Sequence, residues 1–257
     1  MTDWSGAEYA ERSALQRAAV TDALGALSVH PGMRVVDIGC GDGYLTRALA
    51  ARAPGGLVVG LDASPRMIAT AHAAASPGAA GPVFAVADAR DLPVAPGFDL
   101  VVSFNALHWV PEQQRALAAI GAVLKPGGVA VVQMVCAGGR ASVESTAMTV
   151  CSRERWSRWF EGFAAPFVHV EPDVYRDLAA EEGLVQEDRT VSDLNWDFGS
   201  RDAFLRWCAM GMTAWTDRLP PGARDDFVAE LVAAYEPVAG RAGLFRYTQM
   251  RATLRRD

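Results

Sequence analysis

Residues 35–46, Val-Val-Asp-Ile-Gly-Cys-Gly-Asp-Gly-Tyr-Leu-Thr, run from an apolar stretch through three closely spaced glycines into a helix start. Val35, Val36 and Ile38 suit a strand buried on both faces, as in a parallel sheet. Gly39, Gly41 and Gly43 permit positive φ and carry no Cβ to hold a ligand off the backbone. Nineteen residues past Gly43, Asp62 closes a second apolar run, Leu57–Leu61. A carboxylate there can accept two hydrogen bonds from a ribose diol. The pattern marks a nucleotide-type cofactor site on a strand–turn–helix unit.

The glycine spacing narrows the cofactor. A dinucleotide loop reads Gly-x-Gly-x-x-Gly and sets a pyrophosphate on a helix N-terminus. Here the spacing is Gly-x-Gly-x-Gly, and Asp37 sits at the strand end. A carboxylate there opposes a pyrophosphate and favours a cationic ligand. A nicotinamide oxidoreductase is the rival that this spacing argues against.

Strand and helix signals then alternate. Residues 7–27 carry apolar residues at helical spacing, and Pro31-Gly32 precedes the first strand. Helices are expected over 44–53, 65–74 (started by Ser64-Pro65) and 112–123. Strands are expected over 83–86, 98–104 and 129–135. That order predicts an α/β fold, a doubly wound, mostly parallel seven-stranded sheet with right-handed crossovers. Beyond residue 136 the pattern loosens. Helices are expected over 172–182, 201–217 and 222–235, and strands over 184–194 and 245–254. Segments 136–170 and 196–240 read as lid insertions on a single domain, 1–257, whose cofactor-binding core is 31–135. The aromatics of the first insertion, Trp156 to Phe167, read mostly as core, with some lining a pocket.

Composition excludes several classes. The 257 residues carry a net charge of −6 and no basic run, which argues against nucleic acid as a main partner. No apolar run reaches membrane-spanning length, and Met1–Gly6 is polar, so a cytoplasmic protein without a signal peptide or membrane partner is expected. Cys40, Cys136, Cys151 and Cys208 form no Cys-x-x-Cys pair and read as reduced thiols; no metal site is expected. The sequence leaves the oligomeric state open.

Five segments in order resemble the class I S-adenosylmethionine (SAM) methyltransferases. They are Asp37–Gly43, Asp62, Ala87-Asp88-Ala89, Phe98–Val110 and Leu124–Gly128. The resemblance implies SAM as cofactor and S-adenosylhomocysteine as product. It implies that Asp37, Gly39, Cys40 and Gly41 surround the methionine part and that Asp62 holds the ribose hydroxyls. Ala63 and Met67 would flank the adenine, Asp88 and Ala89 would meet its amino edge, and Asn105 would stand at the tip of the fourth strand. More narrowly, Leu107-His108-Trp109-Val110, with Trp4, Tyr9 and Gln16 in the leading helix, is similar to the trans-aconitate and juvenile-hormone-acid methyltransferases. That likeness implies a small-molecule carboxylate as acceptor, held by Gln16 and Trp109, with Tyr9 nearby.

Chemistry separates the acceptors. An ionised carboxylate needs no general base, only donors such as the Gln16 amide and Trp109 Nε1–H. A hydroxyl acceptor needs a base with a pKa near 7, for which His108 is the candidate. Methylation of a hydroxyl, nitrogen or carbon, a non-transfer cyclisation on the same cofactor, and a non-catalytic binding module remain alternatives.

Overall fold

The computed structural model describes Thr21, Leu24, Gly25, residues 27–74 and residues 81–257. Trp4, Tyr9 and Gln16 lie outside the described residues. Of the expected leading helix, Thr21, Leu24 and Gly25 are described and helical, with Leu24 buried.

The first half alternates as the hydrophobic runs dictate. It comprises β1 (Arg34–Ile38), α1 (Tyr44–Arg52), β2 (Leu57–Asp62), α2 (Pro65–Ala73), β3 (Val83–Val86) and β4 (Phe98–Phe104). A 3₁₀ turn (Leu107–Trp109), α3 (Gln113–Val123) and β5 (Leu124–Val135) follow. Ser64 caps α2, its hydroxyl accepting from the Met67 amide at 3.3 Å with Pro65 at the first helical position. Strand β5 begins at Leu124, five residues earlier than the sequence pattern suggests. Leu124 pairs with Phe98, and a register irregularity then carries the chain through Pro126-Gly-Gly to Val129.

The second half supplies α4 (Val143–Cys151), α5 (Glu154–Ser157), α6 (Pro172–Glu181), β6 (Leu184–Asp197), α7 (Arg201–Gly211), α8 (Thr213–Thr216), α9 (Pro221–Ala239) and β7 (Leu244–Arg256). The helix expected over 201–217 is two helices, broken at Met212, where ψ swings to 28°. The seven-stranded sheet has the order β3-β2-β1-β4-β5-β7-β6. β1 to β5 are mutually parallel, and β7 is antiparallel to both neighbours. Strand order reverses between β1 and β4, so their carboxyl ends open the crevice where such sheets bind ligands.

Adjacent strand residues point to opposite faces. Val36, Ile38 and Val101 therefore pack with Leu117 and Ile120 of α3 and Tyr175 of α6. Val35, Leu100 and Val102 pack with Leu45 and Leu49 of α1. The helices of segments 136–170 and 196–240 carry a third core, rich in aromatics, around Trp156, Phe204, Trp215, Phe227 and Tyr235. It joins the sheet at β7. The Tyr235 hydroxyl donates to the Arg246 carbonyl at 2.7 Å and accepts from the Arg246 amide at 3.1 Å. No helix among the described residues is long and apolar enough to cross a membrane.

This clamp generates a stability prediction. Tyr235→Phe keeps the packing and leaves two backbone groups of β7 without their partner. We expect a loss of about 1–2 kcal/mol, equivalent to a melting-temperature drop of about 2–8 °C for a chain of this size. An unchanged thermal melt would show that the clamp is energetically silent.

Candidate functional site

One cavity of about 530 Å³ opens over the carboxyl ends of β1, β2 and β4 and runs under the lid helices. Ligand sites of this kind span about 300–1,000 Å³. Every described residue expected at the site lines it: Asp37, Gly39, Cys40, Gly41, Asp62 and Ala63, then Met67, Asp88, Ala89, Asn105, His108 and Trp109.

The floor is the glycine turn. The Gly39 and Cys40 amides both donate to the Leu61 carbonyl, at 2.7 and 3.0 Å, which fastens the end of β1 to the end of β2. Gly39 has φ of +74°, and a Cβ built there would stand 2.1 Å from the Ala106 methyl. Gly39 is thus required by the close approach of the chain after β4. Gly41 differs. Its φ is +56°, and a Cβ there meets nothing within 4 Å, because the position faces the open cavity. A bound ligand can therefore lie directly against this backbone, and the cradle fits the expected cofactor.

Carboxylates gather at this end. Asp37 is 1% exposed, accepts from the Thr46 hydroxyl at 2.6 Å, and is pushed up to about 7 by burial, against the Thr46 bond and with help from the Asp62 charge. Asp62 accepts from the Gly41 amide at 2.9 Å and the Ser64 amide at 2.8 Å. These two bonds leave each oxygen with a further lone pair for a ligand diol. Burial raises the Asp62 carboxyl as well. Among the described residues no cation pairs with either, so buried Asp37 and half-buried Asp62 form a site that gains from receiving positive charge. Asp88 lines the cavity, but its carboxylate is forked onto the Arg90 guanidinium, which lowers its pKa and turns it toward a partner within the protein.

The chain after β4 is held unusually. Asn105 adopts φ of +57°, the sole non-glycine with positive φ among the described residues. Such backbone strain clusters at functional sites. Its amide donates to the Gln133 carbonyl at 2.7 Å, and its side-chain oxygen accepts from Gln249 at 3.0 Å. The Gln113 amide nitrogen then reaches the Leu107 and Val110 carbonyls at 2.6 and 2.5 Å, closing the turn that presents His108 and Trp109. His108 is 5% exposed, and burial and the neighbouring His169 lower its pKa to about 3. Its Nδ1 has no hydrogen-bond partner. Trp109 sits edge-on to Trp215, joining the turn to the lid core.

The opposite side of the cavity contains Phe245 and Tyr247, whose Phe-Arg-Tyr run resembles a segment of the trans-aconitate group, and residues that the sequence did not single out. Phe245, Tyr247 and Gln249 share one face of β7 by strand alternation, and all three line the cavity with Trp207 and Met212. Phe245 stacks on Tyr247 at 5.0 Å and lies 4.9 Å from Trp207. The i, i+2, i+4 spacing on β7 was the available signal for these. Glu144 also lines the cavity. As an acid in the first turn of a helix it carries no sequence mark of burial. Arg140, Arg153 and Arg155 pair with Asp193, Glu230 and Asp226 on the surface.

Comparison with known proteins agrees with this geometry. A methyltransferase-domain family matches residues 35–128. Trans-aconitate 2-methyltransferase of Mycobacterium tuberculosis (strain ATCC 25177 / H37Ra) is 30% identical over 225 residues, covering 84% of this chain and 83% of that protein. Trans-aconitate 2-methyltransferase of Methylobacterium nodulans is 37% identical over 134 residues, 52% of this chain and 50% of its own. The solved structure of the YcgJ protein from Bacillus subtilis superposes with a TM-score of 0.68 at 16% identity, covering 93% of this chain and 98% of that one.

The two glycines give opposite expectations. Gly39→Ala forces a Cβ into Ala106 and strains φ, and should cost about 2–4 kcal/mol of stability or prevent folding. Gly41→Val also strains φ but meets no neighbour, so it should keep the circular dichroism spectrum of a folded protein at reduced stability and fill the ligand's volume. A folded Gly41→Val that binds the cofactor normally would move the site off this turn.

Proposed function

Since the chain belongs to the class I SAM-dependent methyltransferase family, we propose that it transfers a methyl group from SAM to a carboxylate oxygen of a small molecule. The observation that carries the acceptor is the state of His108. It is the imidazole at the turn facing the chamber, and burial holds it neutral, with a pKa too low for a base that must accept a hydroxyl proton near pH 7. A carboxylate acceptor arrives already ionised and needs no such base. The names of the trans-aconitate relatives point to the same acceptor chemistry.

Bound SAM supplies an electrophilic methyl carbon on a sulfonium, open to in-line displacement. The residues of this chain have three tasks. Asp37 and Asp62 offer negative charge and acceptor oxygens at the cofactor end. The Gly39–Gly41 backbone gives close approach. His108 and Trp109, held by the Gln113 clamp, present an apolar, low-dielectric wall at the acceptor end, from which the Trp109 Nε1–H is a neutral donor. Holding the reactants together in a water-poor chamber is the main source of rate in such a displacement. Gln16 and Tyr9 keep their proposed acceptor roles, and Met67, Ala63, Ala89 and Asn105 their proposed cofactor contacts.

Incubation with SAM and a panel of carboxylic acids tests this reading. The expected product is one CH₂ heavier and is cleaved by mild base, as a methyl ester is. Transfer to hydroxyl acceptors alone would overturn it.

Cofactor binding carries its own expectations. Asp62→Ala should weaken SAM binding by about 1.5–3 kcal/mol, measured by calorimetry. Asp37 titrates at about 7 in the free protein, and a cationic ligand favours its ionised form. Below pH 7 a proton must therefore leave on binding, and affinity should fall by up to about tenfold per pH unit. In Asp37→Asn this dependence should vanish. A wild-type affinity flat between about pH 5 and 8 would detach Asp37 from the cofactor's charge.

A further inference from the structure

The lid brings a buried acid to the acceptor end of the chamber. Glu144 occupies the first turn of α4, which begins in a capping box between Ser142 and Ser145. It lines the cavity and is 5% exposed. Its Oε2 lies 3.9 Å from His169 Nε2, and the His169 ring lies 6.3 Å from that of His108. The segment that bears His169 is tied to the His108 turn by the Val168 amide, which donates to the His108 carbonyl at 2.8 Å. Two nitrogens here, His108 Nδ1 and His169 Nε2, are buried without a hydrogen-bond partner. Buried polar atoms are seldom left so, and a ligand is one way to complete them. The three side chains do not form a metal-ligand set.

Among the described residues no arginine or lysine forms an ion pair with Glu144. The groups facing it are His169 from the preceding-to-α6 segment, Cys208 from α7 and Tyr235 from α9. Burial keeps each of them uncharged. His169 is lowered to about 4, the Cys208 thiol is pushed well up, and the Tyr235 phenol is raised to about 12. Burial likewise raises the Glu144 carboxyl, against bonds from its own amide and Ser142.

We propose that Glu144 is a neutral carboxylic acid whose O–H, together with the N–H of His108, binds the carboxylate of the acceptor in a charge-free donor site. The proposal rests on the carboxyl-methylation reading and extends it by adding two donors for the acid to those of Gln16 and Trp109. The chemistry explains why neutral donors stand here. A carboxylate that must attack carbon keeps its electron density when hydrogen-bonded by neutral groups, whereas an arginine fork would neutralise it. A protonated acid kept in an apolar site is a donor of this kind. Ionisation of Glu144 removes the donor and sets a like charge against the ligand, so acid binding weakens as pH rises through its titration.

The test uses the protein saturated with S-adenosylhomocysteine and cinnamate, a planar monoacid matched to the Phe245–Tyr247 wall. Difference infrared spectra of wild type and Glu144→Gln at neutral pH should contain the C=O stretch of one protonated carboxyl. Glu144→Gln keeps a neutral donor and should bind cinnamate like wild type, with the alkaline decline removed. Glu144→Ala should bind it about 5–30-fold more weakly. Absence of the protonated band, or a Glu144→Gln protein as weak as Glu144→Ala, would overturn the proposal, as would normal binding by a folded Glu144→Ala. Neither readout requires turnover. Failure to form methyl esters with these results intact would therefore count against the carboxyl-methylation reading and leave the donor site standing.

Discussion

The close approach of the Gly39 backbone to Ala106 is the contact on which the site depends. The strand order reverses between β1 and β4, so the chains leaving these strands part and leave a crevice. At its base they must nearly touch, and only a residue without a Cβ lets them. The same turn sends two amides to the Leu61 carbonyl, so three strand ends share one fixed floor. That floor aims the Gly41 backbone at the cavity, sets Asp62 beside the Gly41 amide, and starts the segment in which Asn105, His108 and Trp109 follow.

Rigidity on this floor contrasts with assembly from distance above it. The turn carrying His108 is closed by Gln113 from the following helix, and the Asn105 tip by Gln249 from the last long strand. Neither partner touches the cofactor loop. The last strand also anchors the lid through Tyr235 and presents the Phe245–Tyr247 wall. One antiparallel strand, inserted between β5 and β6, therefore couples the lid core to the tip of β4. Packing on one of its faces and the cavity on the other are consequences of strand alternation.

What was legible in the sequence was what local chemistry dictates. Val35–Ile38 and Leu57–Leu61 read as buried strands because parallel strands are apolar on both faces. Gly39, Gly41 and Asp62 read as a ligand turn because their spacing has few other uses. The insertions read less well. The helix over 201–217 breaks at Met212, which has no intrinsic breaking tendency; lid packing decides it. Leu124 joins β5 through a pairing with Phe98 that no local pattern reveals. Glu144 carries no mark of a site in the sequence, since an acid in a helix's first turn is ordinarily a solvated one. Its burial arises from α7 and α9, more than fifty residues downstream. Arg90 is two residues from Asp88, yet its claim on that carboxylate is visible only in the folded geometry.

The cavity sorts charge along its length. At the cofactor end, buried Asp37 lies beside half-buried Asp62, whose charge adds to the cost of ionising Asp37, and Asp37 sits at the edge of ionisation near neutral pH. Such an arrangement is unfavourable in the free protein and is relieved by a cation, so part of the strain of building it returns as affinity for a positively charged ligand. At the lid end burial removes charge altogether: His108 and His169 fall to their neutral forms. An anionic acceptor entering there meets dipoles, not counter-ions, and its strongest electrostatic attraction is to positive charge at the other end of the chamber. A charge-sorted cavity thus favours the approach of an anionic nucleophile toward a cationic donor without a protein side chain that neutralises either. In the proposed carboxyl methylation both charges are consumed, so the products lose the attraction that brought the reactants together.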